Sequence, residues 1–165
     1  MRKGFYIMHL FKTKKDNKIY APVTGMMIPL SEVPDNTFAS GMMGNGFAFR
    51  FDSDMIFSPC FGEVLVIAKT RHAVGIKMEN GAEILLHIGL DTVMLNGKGF
   101  ILAVKKGQKI RPGTELLKID RKIMHDNHIN MISMLIITNS SEFSSDIKIK
   151  EQMQLKEVLF EIGKK

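Results

Sequence analysis

From residue 19 onward the apolar positions come in short runs separated by turn signals. Residues 73–78 (AVGIKM) and 115–119 (ELLKI) show short apolar patterns, and residues 131–138 (MISMLIIT) and 158–162 (VLFEI) are apolar runs of strand length. Between such runs lie Pro22 with Gly25, Pro34-Asp35, Gly44-Asn45-Gly46, Pro59 with Gly62, Asn80-Gly81, Asn96-Gly97, Gly107 and Pro112-Gly113. Turn chemistry at intervals of roughly 8 to 15 residues predicts an all-β chain rather than alternating βα units. The expectation is an antiparallel β-sandwich or barrel with one or two short helices, at 123–128 and within the acidic and polar stretch 140–156.

One local pattern recurs. Ala21-Pro22-Val23-Thr24-Gly25 and Ser58-Pro59-Cys60-Phe61-Gly62 both read as a small residue, Pro, two residues, then Gly. Proline fixes φ and glycine permits backbone angles closed to other residues, so each copy predicts a sharp entry into a strand. Farther along, Val104, Gly107, Ile110, Gly113 and Leu116 are spaced in threes, which suits a tightly turned hairpin of the barrel-sandwich kind.

Composition narrows the class. The chain has 165 residues, 45% hydrophobic and 24% charged, enough for one core held without disulfide or metal. The single cysteine, Cys60, excludes a disulfide framework and reads as a small buried hydrophobe. The net charge of +6 suggests nucleic acid until it is located. Residues 1–18 carry six basic side chains against Asp16, and the other 147 residues carry 17 basic and 16 acidic ones. The body is almost neutral and holds no nucleic-acid motif, so no nucleic-acid partner is expected. Two parts follow: a basic extension over 1–18 and a domain over 19–165.

Within the extension the apolar stretch from Phe5 to Phe11 is interrupted by His9 and falls far short of the roughly 20 residues of a membrane span. Lysines follow it where a signal peptide would have a cleavage site, which predicts a cytoplasmic protein. Anionic lipid would attract such a segment at about 1 kcal/mol per basic residue, giving peripheral contact. Its apolar residues spread around a helical wheel, however, and form no amphipathic face.

Five histidines are candidates for chemistry. His125 and His128 lack a third ligand nearby and read as surface residues. His87 ends the apolar strand Ile84-Leu85-Leu86-His87, and His72 opens His72-Ala73-Val74-Gly75-Ile76. Across a hairpin turning at Asn80-Gly81, opposed residue numbers sum to about 161. Those of the two histidines sum to 159. A slight slip of register therefore brings the rings together on one face. Paired imidazoles suit a metal site, acid–base chemistry or a phosphoryl relay, and composition leaves all three open.

The surrounding motif is more specific. The run from Gly81 to Val93, GAEILLHIGLDTV, resembles the active-site signature of glucose-type enzyme IIA of the bacterial phosphoenolpyruvate-dependent sugar phosphotransferase system. Tyr20-Ala21-Pro22-Val23-Thr24-Gly25, Val33-Pro34-Asp35, Gly44-Asn45-Gly46, Ser58-Pro59, Thr70-Arg71-His72-Ala73, Gly99-Phe100 and Ile137-Thr138-Asn139 fall in the same family order. The resemblance runs from about residue 19 to the end, and implies a fold of the duplicated hybrid motif type.

It also implies a phosphotransferase component that forms a phosphohistidine. His87 would accept phosphate on Nε2 from the carrier protein HPr and pass it to a cysteine of a IIB domain. His72 would stabilise the phosphoryl oxygens, Thr70 would orient His72, and a backbone carbonyl beside the Gly89 position would fix the His87 tautomer. Phe38, Met42, Met43, Leu85 and Val93 would form an apolar docking patch, with Asp35 and Asp91 at its rim. No cofactor is required, although zinc could be shared by His72 and His87 with a partner.

Two alternatives belong to other classes. His87-Ile88-Gly89-Leu90-Asp91 has the H-x-x-x-D form of some zinc hydrolases, but the chain lacks their H-x-H. The 107–116 segment resembles a biotinyl or lipoyl carrier. Lys77-Met78, the nearest approach to its modified lysine, lacks a preceding Met.

Overall fold

The computed structural model describes residues 15–165. The expected lipid contact of the basic extension, residues 1–18, lies outside the described residues except for 15–18, of which Lys18 already belongs to the first strand. Strands β1 (Lys18–Tyr20) and β2 (Gly25–Ile28) flank the first proline loop. A 3-10 turn (Leu30–Glu32) and the one-turn helix α1 (Asn36–Ala39) lead into β3 (Asn45–Phe51) and β4 (Met55–Phe57). After the second proline loop come β5 (Gly62–Ile67) and the hairpin β6 (Ala73–Lys77) and β7 (Glu83–His87). A 3-10 turn (Thr92–Leu95) precedes β8 (Phe100–Leu102), β9 (Lys109–Ile110) and β10 (Glu115–Ile119). Helix α2 (Arg121–Asp126), β11 (Ser133–Ile137), β12 (Phe143–Ser145) and β13 (Val158–Lys164) complete the chain.

All named strand pairs are antiparallel. They form a seven-stranded sheet, β2-β3-β11-β7-β6-β5-β9, and two three-stranded sheets, β4-β10-β8 and β1-β13-β12. The sheets are not closed into a barrel, so of the two expected architectures the sandwich is the one adopted. Both proline motifs enter strands as expected, at Gly25 and Gly62. The apolar runs all become strands.

The proline motifs are related by more than sequence. Tyr20 N–H donates to Pro59 O at 2.7 Å and Phe57 N–H donates to Pro22 O at 3.1 Å, each from the residue two before its own proline. Ala21 exchanges backbone bonds with Glu157 and Lys156, and Ser58 exchanges the same pair with Thr114 and Gly113. Lys156 and Gly113 both have positive φ, 67° and 85°. Two copies of one hairpin-and-loop unit therefore face each other across a local two-fold relation, the duplicated motif the resemblance implies.

The seven-stranded sheet carries a core on each face, because side chains alternate along a strand. Ile84 and Leu86 of β7 point into the main core with Phe47, Phe49, Leu135 and Ile137. Leu85 packs on the other face against a smaller cluster of Ile28, Val33, Phe38, Ala48, Leu90, Ile132, Met134 and Ile136. The segment containing α1 covers that cluster.

Helix assignment needs two corrections. Helix α2 begins at Arg121, earlier than expected, because Asp120 accepts hydrogen bonds from Lys122 N–H and Ile123 N–H as its N-cap. The stretch 140–156 contains one 3-10 turn, Ser140–Glu142, followed by β12. Phe143 is buried there and its strand pairs with β13, so tertiary packing overrides the polar local sequence.

Candidate active site

β7 delivers His87 at its last position, on the face of the smaller cluster. The observed β6–β7 register pairs Ala73, not His72, with His87. Ile88 N–H donates to His72 O at 2.8 Å, which extends the ladder by one bond. His72 thus lies just outside β6, after Arg71 in the left-handed region at φ 59°. The rings still meet, with centroids 4.8 Å apart and planes at 77°. The pairing is a diagonal contact at a strand end rather than the product of a register slip.

Neighbouring groups define the two rings. Thr70 Oγ1 lies 2.6 Å from His72 Nδ1. Phe38 of α1 packs against His87, with centroids 4.9 Å apart and a 59° tilt. Burial, and secondarily His72, push the His87 pKa down from 6.5 to about 4, against weaker upward pulls from the Gly89 backbone and Asp35. Burial also lowers the His72 pKa, opposed by the backbone of Thr70. Both rings are neutral near pH 7, and neutral imidazole offers the nitrogen lone pair a nucleophile needs. His87 Nδ1 is buried without a hydrogen-bond partner.

Other expected site residues divide into a wall and a rim. Phe38 is buried, and Met43 and Leu85 are partly buried against the smaller cluster. Met42 and Val93 are exposed, as is Met94, whose place beside Val93 in a 3-10 turn the linear pattern did not single out. Asp35 caps α1 by accepting Thr37 N–H, and Asp91 is exposed with φ 56°. Sequence reading also missed Thr92 and Ser133, both fully buried. A lone polar residue inside the apolar run 131–138 was the available signal, because a buried hydroxyl must find a partner.

Of the remaining candidates His125 and Cys60 are unconnected with this site, whereas His128 lines a surface pocket with Asp91 and Met94. The His125 side chain is exposed, as is His128. Cys60 is buried and its thiol is pushed up to about 12, chiefly by burial. Among the described residues no three His, Cys, Asp or Glu side chains group to hold a metal. The histidine pair offers two ligands, half of a tetrahedral zinc set.

A mostly buried histidine pair on an antiparallel sheet, beside exposed apolar side chains, is a geometry that suits group transfer in an all-β protein. Comparison with known proteins shows the family. The model of the family described as phosphoenolpyruvate-dependent sugar phosphotransferase system, EIIA 1, matches residues 17–143. The glucose-specific EIIA component of Staphylococcus epidermidis is 45% identical over 131 residues, 79% of each chain. The β-glucoside-specific EIIBCA component of Bacillus subtilis is 41% identical over 146 residues, 88% of this chain and 24% of that one. The solved structure of glucose permease IIA from Mycoplasma capricolum superposes with a TM-score of 0.81 at 36% identity, covering 89% of this chain and 96% of that one.

The chain belongs to the EIIA 1 family of the sugar phosphotransferase system. It is a phosphoryl carrier, the phosphotransferase component of such a system, and the zinc-hydrolase and biotinyl readings are set aside. No described helix is long and apolar enough to cross a membrane.

Proposed function

We propose that His87 is the phosphorylated residue, taking the phosphoryl group from the phosphohistidine of HPr and yielding it to a cysteine of a IIB domain. The Nε2 lone pair attacks phosphorus, the Nε2–P bond forms, and the N–P bond of phospho-HPr breaks, its electron pair leaving with the HPr imidazole. The carrying observation is the neutral T-shaped ring pair, 4.8 Å between centroids. His72 stands where it can stabilise the phosphoryl oxygens, and the Thr70 contact at its Nδ1 restrains its ring. Phosphoryl transfer needs chiefly positioning and electrostatics, which two rings on a sheet supply.

Docking in this reading uses exposed Met42 and Val93 over the wall of Phe38, Met43 and Leu85. Asp35 and Asp91 at the rim would meet basic side chains of HPr and speed encounter. Zinc has no step in the transfer. An ion shared with a partner would take His72 and His87 and draw its remaining ligands from that partner.

Incubation with phosphoenolpyruvate, enzyme I and the cognate HPr is expected to give one acid-labile, alkali-stable phosphate, absent in His87→Ala. In His72→Gln, labelling persists while transfer to a IIB domain fails. A wild-type chain that stays unlabelled would sink this reading.

A further inference from the structure

Two fully buried hydroxyls, Thr92 and Ser133, bracket the backbone that follows His87. Thr92 Oγ1–H donates to Ile88 O at 2.6 Å, and Gly89 N–H donates to Ser133 Oγ at 3.0 Å. One hydroxyl therefore holds each end of the peptide joining Ile88 to Gly89. Ser133 gives its own proton to Met131 O at 3.0 Å, so toward Gly89 it acts as an acceptor. The next peptide is held by Leu90 N–H donating to Asn130 O at 2.8 Å.

This leaves the Gly89 carbonyl as the unclaimed polar group of the two peptides: among the described residues no other group donates to it. His87 Nδ1 is buried and equally unclaimed. The Gly89 backbone also favours the protonated ring, as a nearby carbonyl does. Gly89 has φ 71°, and a Cβ there would come within 2.6 Å of Thr92 Cγ2, so the bend admits no larger residue without displacement.

We propose that Ser133 and Thr92 are positioning residues that aim the Gly89 carbonyl at His87 Nδ1, keeping the ring proton on Nδ1 and the lone pair on Nε2. The inference rests on His87 being the phosphoryl acceptor. A neutral imidazole has one proton for two nitrogens, and the nitrogen facing a carbonyl, which can only accept, retains it. Without either hydroxyl the Gly89 peptide is free to turn, and the tautomer protonated on Nε2, which cannot attack phosphorus, becomes populated.

The test uses Ser133→Ala and Thr92→Val, with Ser133→Thr and Thr92→Ser as hydroxyl-retaining partners. Two-bond proton–nitrogen correlation spectra of the labelled His87 ring near pH 7 read the tautomer without any phosphoryl donor. The expected result is the Nδ1–H tautomer in the parent and a mixture in the hydroxyl-less variants, with phosphorylation by phospho-HPr slowed about tenfold or more. The hydroxyl-retaining variants restore both readouts. An unchanged Nδ1–H tautomer in Ser133→Ala or Thr92→Val overturns the proposal whatever the rate does, and either variant decides if the other fails to fold. A parent that shows the Nδ1–H tautomer yet takes no phosphate overturns the assignment of His87 as acceptor instead.

Discussion

A histidine kept neutral by burial destabilises the fold in acid. The folded pKa of His87, about 4, lies below its ordinary 6.5. Between those values the unfolded chain binds a proton that the native ring refuses. Native stability therefore falls as pH drops through 6.5 and levels off below about 4. The lowered pKa of His72 acts in the same sense. At about 1.4 kcal/mol per pKa unit, the His87 loss amounts to a few kcal/mol. Urea midpoints should drop between about pH 7.5 and pH 4.5, and His87→Gln should flatten most of that slope. At this scale the histidine pair was legible because its motif is local. Ser133 was not, since its partner Gly89 lies 44 positions away and only the folded strands bring them together.

The element that governs His87 is a helix of only four residues. Helix α1 is a single turn capped by Asp35, and it owes its place to Phe38, which packs between the smaller cluster and the ring. Phe38→Ala should lower stability by about 3 kcal/mol, as large-to-small core changes do. Admitting water should also raise the His87 pKa from about 4 toward 6.5, because desolvation is the largest cause of its depression. A titration of the ring signals by NMR measures that shift. An unchanged pKa would place the burial elsewhere. Four residues are too few to show a helical period, so α1 lay hidden behind the turn signal Pro34-Asp35. Strand β3, whose first residues Asn45-Gly46 read as a turn signal, was missed as well, but β6, β10, β11 and β13 were legible for the opposite reason. Their apolar runs stay apolar whichever face is buried, whereas the strand at Phe143–Ser145 exists only through pairing with β13.

Over the whole molecule, the recurrence of the proline motif was readable because both copies need the same backbone. Its meaning, reciprocal bonds between Tyr20 and Pro59 and between Phe57 and Pro22, required loops 37 residues apart to meet. The three-sheet assembly was likewise illegible, since β1 pairs with β13 from the far end of the chain. That pairing reaches to Asn17, whose carbonyl accepts from Ile162 N–H at 2.9 Å.

Entry and exit of the folded unit are therefore neighbours, on a sheet other than the one that bears the histidines. A linker at either end pulls on one shared hem, which meets the histidine sheet at the β6–β7 turn, where Asn80 Nδ2–H donates to Ile162 O at 3.2 Å, at the other end of the hairpin from the rings. This chain matches 24% of the larger Bacillus subtilis EIIBCA component. A circular permutant that joins these ends by a short glycine linker and opens at exposed Lys148 should fold and accept phosphate at the parent rate. A folded permutant that lost phosphorylation would show the hem and the site to be mechanically coupled. Otherwise the carrier behaves as a bead on a string, able to swing between donor and acceptor without reshaping the surface it presents to either.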